Sequence, residues 1–235
     1  NTLSLHDALP IYNGNIHQVN IAALTEGTNF VDTAVDVQRN ITYILKQTLE
    51  GKDQECARLT LAGSQEILPY LSIPLRTPPG YTPGDISVGD LDGDGTYEII
   101  VHQTGKIHDN AHNGITDPAI FQAYKLDGTF MWEINLGKNV RDGSHYTPFI
   151  VYGLDGDGIA EFVCKTADGT RDGLGNVIGN ITADWRDTVP TSRYYGRVLQ
   201  GPEFLTVFDG LTGKAVSTVD YLPERGDLIS WGDRN

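Results

Sequence analysis

Two short acidic segments combine residue types and spacings that can do chemistry. Asp90-Leu91-Asp92-Gly93-Asp94-Gly95 carries carboxylates at alternate positions, and Thr96 and Glu98 follow. Alternation in a tight loop turns three carboxylates toward one point, while Gly93 and Gly95 permit the backbone conformations this needs. Asp90, Asp92, Asp94, the carbonyl of Thr96 and Glu98 make a set of hard oxygen donors, which suits Ca2+ far better than zinc or copper. An EF-hand is excluded, because the twelfth position is Val101 instead of Glu and the flanks read as strands. The second segment, Gly153-Leu154-Asp155-Gly156-Asp157-Gly158, offers Asp155, Asp157, the carbonyl of Ile159 and Glu161, with glycine in the first ligand position. One carboxylate fewer lowers the expected calcium affinity. The competing reading of both loops is an Asp-Gly turn carrying solvated acids. A third cluster, with Asp168 and Asp172, reads equally as another ion site or as a long polar turn.

Signals for substrate chemistry are sparser. The stretch from Gly105 through Lys106, His108, Asp109, Asn110 and His112 to Asn113 is polar and loop-placed, as ligand contacts tend to be. Asp109 and Asn110 are its expected contacts with substrate or ion. His102, His108 and His112 each read singly as surface residues. Arg141, His145 and Tyr146 precede the second acidic segment, and His145 is the leading candidate for an ion ligand or a base. Lys165 ends a strand-like run, where a base, a uronate contact and a plain salt bridge compete. Trp185 is a possible sugar platform, and Trp132, in mid-strand, reads as core. Cys56 and Cys164 have no zinc or disulfide-framework spacing, and Cys164 sits in the apolar run Phe162-Val163-Cys164 as a buried thiol.

The elements that must position these groups repeat. Strand-like Ile86-Ser87-Val88-Gly89 leads into the first acidic loop, and Tyr97-Glu98-Ile99-Ile100-Val101 leads out. An insertion follows, then Phe121-Gln122-Ala123-Tyr124-Lys125-Leu126, the turn Asp127-Gly128, and Phe130-Met131-Trp132-Glu133-Ile134. The second unit has Phe149-Ile150-Val151-Tyr152, its loop, Ala160-Glu161-Phe162-Val163-Cys164-Lys165, an insertion, Phe204-Leu205-Thr206-Val207-Phe208, the turn 209–213, and Ala215-Val216-Ser217-Thr218-Val219. The loops begin 63 positions apart, at Asp90 and Gly153. Four antiparallel strands per repeat is the signature of a β-propeller blade. Residues 12–69 carry shorter β-type runs, among them Thr28-Asn29-Phe30-Val31, Ile41-Thr42-Tyr43-Ile44-Leu45 and Ala57-Arg58-Leu59-Thr60-Leu61, as in a β-sandwich. Alternation of Ile41, Tyr43 and Leu45 predicts one buried face. Pro69, Pro74, Pro78, Pro79 and Pro83 mark a linker, with an edge strand at Tyr70-Leu71-Ser72-Ile73 and a domain boundary near residue 69. Residues 1–11 match nothing that follows, resemble translated sequencing-adapter read-through, and are expected to stand outside the fold.

Charge narrows the function classes. Acidic residues outnumber Lys and Arg by 31 to 17, a formal net charge of −14, which repels nucleic acid and anionic membrane. No apolar stretch reaches the roughly 18 residues of a membrane span. No basic leader is visible, and the chain stops after Ser230-Trp231-Gly232-Asp233 as another strand begins, so a fragment is expected.

From Tyr70-Leu71-Ser72-Ile73-Pro74-Leu75 to its end, the chain resembles the bacterial rhamnogalacturonan lyases built on an eight-bladed propeller. The stretches that carry the resemblance are SVGDLDGDGTYEI (87–99), AYKLDGTFMWEINLGKNVRDGSHYTPFIVY (123–152), VCKTADGTRDGLGNVIG (163–179) and GPEFLTVFDGLTGKAVSTVDYLPERG (201–226). The family pattern has Asp where this chain has Gly153. The resemblance implies an all-β chain: residues 70–235 as about two blades of the eight, and residues 12–69 as part of a fibronectin-like β-domain. It also implies a secreted bacterial protein, expected as a monomer. The implied activity is Ca2+-dependent β-elimination on rhamnogalacturonan I, a pectic polysaccharide. The alternative is a non-catalytic, calcium-stabilised propeller that binds carbohydrate or protein.

Overall fold

The computed structural model describes residues 5–12, 15–16, 18–20, 31–36, 38–49, 51–63, 70–109, 112–143 and 147–226. The chain divides into two compact units, Asn1–Leu71 and Ser72–Asn235. There is no helix among the described residues, so none is long and apolar enough to cross a membrane.

The first unit is one antiparallel sheet of β1 (Leu5–Tyr12), β2 (Asn15–Ile16), β3 (Ile41–Leu49) and β4 (Lys52–Leu61), in the order β2-β1-β3-β4. Gly51, at φ 74°, turns β3 into β4 and sets Tyr43 opposite Leu59. Three expectations are corrected here. Residues 5–12 are placed as a strand along β3, with Leu9 opposite Ile44, so the segment set aside at 1–11 contributes to the sheet. The most buried side chains of β3 are Ile41 and Ile44, which lie on opposite faces, so each face buries one apolar residue instead of one face taking Ile41, Tyr43 and Leu45. Tyr70-Leu71-Ser72-Ile73 forms no strand. Tyr70 and Leu71 are exposed, and the flanking Pro74 lacks the N–H a ladder needs. In the expected run from Thr28 to Val31, positions 28–30 lie outside the described residues, and Val31 is exposed and irregular.

The second unit holds two antiparallel meanders. The first is β5 (Thr82–Gly89), β6 (Glu98–Thr104), β7 (Ile120–Tyr124) and β8 (Phe130–Asn135). The second is β9 (Phe149–Tyr152), β10 (Glu161–Thr166), β13 (Phe204–Phe208) and β14 (Ala215–Asp220). Between β10 and β13 the chain makes two short strands, β11 (Thr170–Arg171) and β12 (Val177–Ile178), which extend the first sheet beyond β8. Each of the eight strands expected in the repeat is present with its neighbours in the expected order. The sheets are open.

A single apolar core joins the meanders. Ile100, Phe121, Ala123, Trp132 and Ile134 of the first sheet pack with Phe162, Cys164 and Phe208 of the second. Leu91 and Ala160, from the two acidic segments, complete it. Phe162 is the hub, with ring centroids 4.9 Å from Phe121, 5.9 Å from Trp132 and 5.7 Å from Phe208. Burying each such side chain contributes about 1.5–3 kcal/mol. Trp132 Nε1 donates to the Gly210 carbonyl at 2.6 Å. Position 210 must be glycine, because a Cβ there would lie 2.0 Å from the Ala160 carbonyl oxygen.

Antiparallel pairing sorts the connections by end. In each meander the acidic loop and the final tight turn lie at one end, and the insertion at the other. Glu98 and Thr104, at opposite ends of β6, are separated by about 20 Å at the rise of a strand.

Candidate metal loops and the opposite insertion end

The two acidic loops share one backbone geometry. Gly93 and Gly95 take φ 75° and 85°, and Gly156 and Gly158 take 80° and 96°. Asp92 Oδ1 accepts the Asp94 N–H and Asp94 Oδ1 the Thr96 N–H. Asp155 Oδ1 and Asp157 Oδ1 likewise accept from Asp157 and Ile159. Glu98 Oε2 accepts the Leu91 N–H at 2.7 Å, and Glu161 Oε2 the Leu154 N–H at 2.6 Å. Each strand thus returns a glutamate to clamp the start of its own loop. The loops also join directly, through the Ala160 N–H donating to the Asp90 carbonyl at 2.7 Å.

Asp90, Asp92 and Glu98 place carboxylate oxygens within 4.8 Å of one another, and so do Asp155, Asp157 and Glu161. Hard oxygens at this density fit Ca2+ by donor type. Burial pushes the Glu98 carboxyl above its usual value. The Leu91 N–H opposes this, and Asp92 and Asp94 reinforce it. The loops differ in two respects. At the first, Asp90 also accepts the N–H groups of Gly93 and Gly95, a brace that Gly153 cannot supply. Asp94 is not drawn into the first cluster: its carboxylate lies 3.7 Å from Lys125 Nζ, which also contacts Asp92. An ammonium therefore shares the first loop's carboxylates.

The third acidic pair does not converge. Asp168 Oδ1 accepts the Asn180 N–H at 2.7 Å and Oδ2 accepts Trp185 Nε1 at 2.9 Å. Asp172 Oδ1 accepts from Leu174 and Asn176, and Oδ2 from Asn176 Nδ2 and Ala215. Burial raises the Asp172 carboxyl, but the Asn176, Ala215 and Leu174 donors outweigh it and hold it below the usual range. These two acids fasten the second insertion to its surroundings.

At the insertion end the residues that sequence reasoning singled out fare unequally. Asn110, His145 and Tyr146 lie outside the described residues. Asp109 is exposed, and its carbonyl accepts the His112 N–H at 3.0 Å. Arg141 is buried and donates through Nη2 to the His112 carbonyl, so it meets the first insertion. Burial first, then the charges of Arg141, Lys106 and His112, lower the His108 imidazole. The second insertion closes on the first through Asn113 Nδ2 to the Arg193 carbonyl at 2.8 Å and Arg197 Nε to Asn113 Oδ1 at 3.2 Å. The Arg141 and Arg197 side chains thus both reach the first insertion, in a chain of net charge −14. Lys165 donates to Glu203 Oε1 at 3.1 Å, and Arg225 holds the same carboxylate at 2.9 Å. That is the salt-bridge reading of Lys165. Trp185 is partly exposed, with its indole N–H pinned to Asp168.

Sequence reasoning did not single out Asp142, and its reading of His102 as a surface residue is corrected. Both are buried, with His102 Nε2 3.3 Å from Asp142 Oδ1.

The comparisons agree with this architecture. The chain is 46% identical over 223 residues to the rhamnogalacturonan endolyase YesW of Bacillus subtilis (strain 168), covering 90% of this chain and 34% of that protein. It is 44% identical to the rhamnogalacturonan exolyase YesX of the same organism, covering 89% and 34%. The solved structure of Bacillus licheniformis rhamnogalacturonan lyase PL11 superposes with a TM-score of 0.82 at 42% identity, over 99% of this chain and 40% of that one. The chain therefore spans about a third of the length of its curated relatives. Residues 71–235 match the model of rhamnogalacturonan lyase family 11, C-terminal domain, and the chain belongs to that family.

Proposed function

We propose that the chain is part of a rhamnogalacturonan lyase that cleaves the galacturonate–rhamnose backbone of pectin by β-elimination. The observation that carries this reading is the family match through both meanders and both insertions, with an endolyase and an exolyase as relatives. The chemistry sets the requirements. The C5 proton of galacturonate lies α to a carboxylate, and neutralising that carboxylate acidifies it. A base then takes the proton, and the C4 glycosidic oxygen leaves with its electron pair as the C4–C5 double bond forms. Lys106, Arg141 and Arg197, at the insertion end, supply the local positive charge that draws a polyuronate to an otherwise repelling protein. Asp109 and Asn110 stand on the same loop as substrate contacts, and His145 is the proposed base.

In this reading the two meanders are blades of a larger propeller and the first unit is part of a fibronectin-like domain. Matched strand order and the shared core support it. Asp90, Asp92, Glu98, Asp155, Asp157 and Glu161 hold Ca2+, which supplies local charge neutralisation and cross-links each loop. The polymer lies outside the cell, and so would the enzyme.

The test is incubation of the full-length protein with rhamnogalacturonan I while following the absorbance of unsaturated uronate. A rise with sugar release supports the lyase. Sugar release without a double bond indicates a hydrolase, and binding without product indicates the non-catalytic propeller.

A further inference from the structure

We propose that the pocket at the insertion end of the first meander binds a divalent metal ion through His102 and Asp142, a nitrogen–oxygen site different in kind from the all-oxygen loops. The pocket has a volume of about 540 Å³, and Gly84, Asp85, His102, Thr104, Asp142 and Thr147 line it. It opens where β5 bulges between Pro83 and Ile86, and bulges of this kind re-aim backbone beside sites. Gly84 admits no side chain there, because a Cβ would lie 2.7 Å from Thr104 Oγ1.

Two observations point to a ligand. Asp142 is fully buried and His102 is 6% exposed, yet neither Asp142 Oδ2 nor His102 Nε2 has a hydrogen-bond partner. Buried polar atoms without partners are uncommon, and each calls for an explanation. His102 Nε2 and Asp142 Oδ1 are 3.3 Å apart without hydrogen-bond alignment. Two donors on one metal, each about 2.0–2.2 Å from it, stand roughly 3–3.4 Å apart. Both groups are held in place. The His102 ring stacks on Phe121 at 4.8 Å. The Asp142 backbone N–H donates to Thr116 Oγ1 at 3.1 Å, and Thr147 Oγ1 donates to Asp142 Oδ1 at 3.3 Å.

Imidazole with carboxylate favours Mn2+ or Zn2+ over Ca2+. Asp85 and Asp142 bring negative charge to the lining, which disfavours a uronate there and favours a cation. Water or the Thr147 hydroxyl would complete the shell. The proposal does not rest on the lyase reading.

The test titrates the protein with Mn2+, after excess Ca2+ has been added to fill the acidic loops, and records pulsed electron paramagnetic resonance. The expected result is a bound Mn2+ coupled to one imidazole nitrogen. His102→Gln should abolish the coupling. Asp142→Asn should weaken that site by at least about tenfold, the lower range seen even when outer-shell partners are lost. Circular dichroism checks that each variant folds, and either variant alone is decisive if the other does not. No nitrogen-coupled Mn2+ in the wild-type protein overturns the proposal and leaves a plain His102–Asp142 contact. So does coupling that survives His102→Gln, or an unchanged affinity in folded Asp142→Asn.

Discussion

Replacing Asp172 with alanine separates the two readings of the third acidic cluster. Its carboxylate accepts Leu174 N–H at 3.0 Å, Asn176 N–H at 2.8 Å, Asn176 Nδ2 at 3.1 Å and Ala215 N–H at 3.1 Å, and the residue is 3% exposed. A hydrogen bond to a charged group contributes about 1.5–3 kcal/mol, and a buried donor left unpaired costs about 1–3 kcal/mol. Leu174 and Asn176 are exposed and regain water in the variant, whereas Ala215 N–H, at the start of β14, is half-buried. The loss is therefore about 2–4 kcal/mol, well below the sum of four bonds. For a unit of this size that lowers the melting temperature by roughly 5–15 °C. The assay is urea unfolding followed by tryptophan fluorescence. The folded-state pKa is depressed, so the stabilisation is complete above the unfolded value near 4 and fades as pH falls through the folded value. The gap between wild type and Asp172→Ala should be full at neutral pH and narrow below about pH 4. A loss under about 0.5 kcal/mol at neutral pH would refute the structural assignment. A calcium-dependent stability that disappears in the variant would instead identify Asp172 as an ion ligand.

Three further outcomes are expected. Gly153→Asp should strengthen calcium binding at the second loop, since a Cβ there meets only the Ile159 carbonyl, at 3.3 Å, and the missing carboxylate is restored; calorimetric titration would detect this, and unchanged affinity would count against the loop as a site. Lys125→Met should tighten calcium binding at the first loop by removing the ammonium that shares Asp92 and Asp94, with no comparable gain from a surface lysine elsewhere. Burial pushes the Cys164 thiol far up while Cys56 is exposed, so a thiol reagent at about pH 8 should label one cysteine in the folded chain and two in urea, as read by mass spectrometry.

The meanders were legible because each strand is bounded by a strong local signal. Acidic Asp-Gly loops and the Asp127-Gly128 and Asp209-Gly210 turns punctuate runs such as Tyr97-Glu98-Ile99-Ile100-Val101, and short connections dictate which strands pair. The extension by β11 and β12 was not legible. It rests on a pairing of Arg171 with Asn135, and two-residue strands carry no period to read. Asp168 and Asp172 were ambiguous because spacing states how many carboxylates are present and says nothing of which N–H groups fill them. His102 and Asp142 are 40 positions apart, and their meeting depends on how β6 packs against the segment before β9. Contacts of that range have no local signature, whereas the acidic loops are local and were read residue by residue.

The separation of ends assigns different work to the proposed calcium and to the proposed substrate contacts. The acidic loops sit at the β5–β6 and β9–β10 turns, and the insertions leave the far ends of β6 and β10, about 20 Å away along the strand. A calcium ion in a loop cannot touch a galacturonate held by Arg141 and its neighbours at that distance, and its field is largely screened there. Its influence must pass through the fold. Leu91 and Ala160 belong to the shared core, and the Ala160–Asp90 hydrogen bond ties loop to loop, so loosening either loop loosens the contact between meanders. Chelation should accordingly lower the melting temperature before it changes the affinity for a uronate oligomer. Substitutions at the insertion end should do the reverse. If chelation weakened uronate binding at a temperature where the chain stays fully folded, calcium would have to bridge to substrate directly, and the assignment of ends would fail.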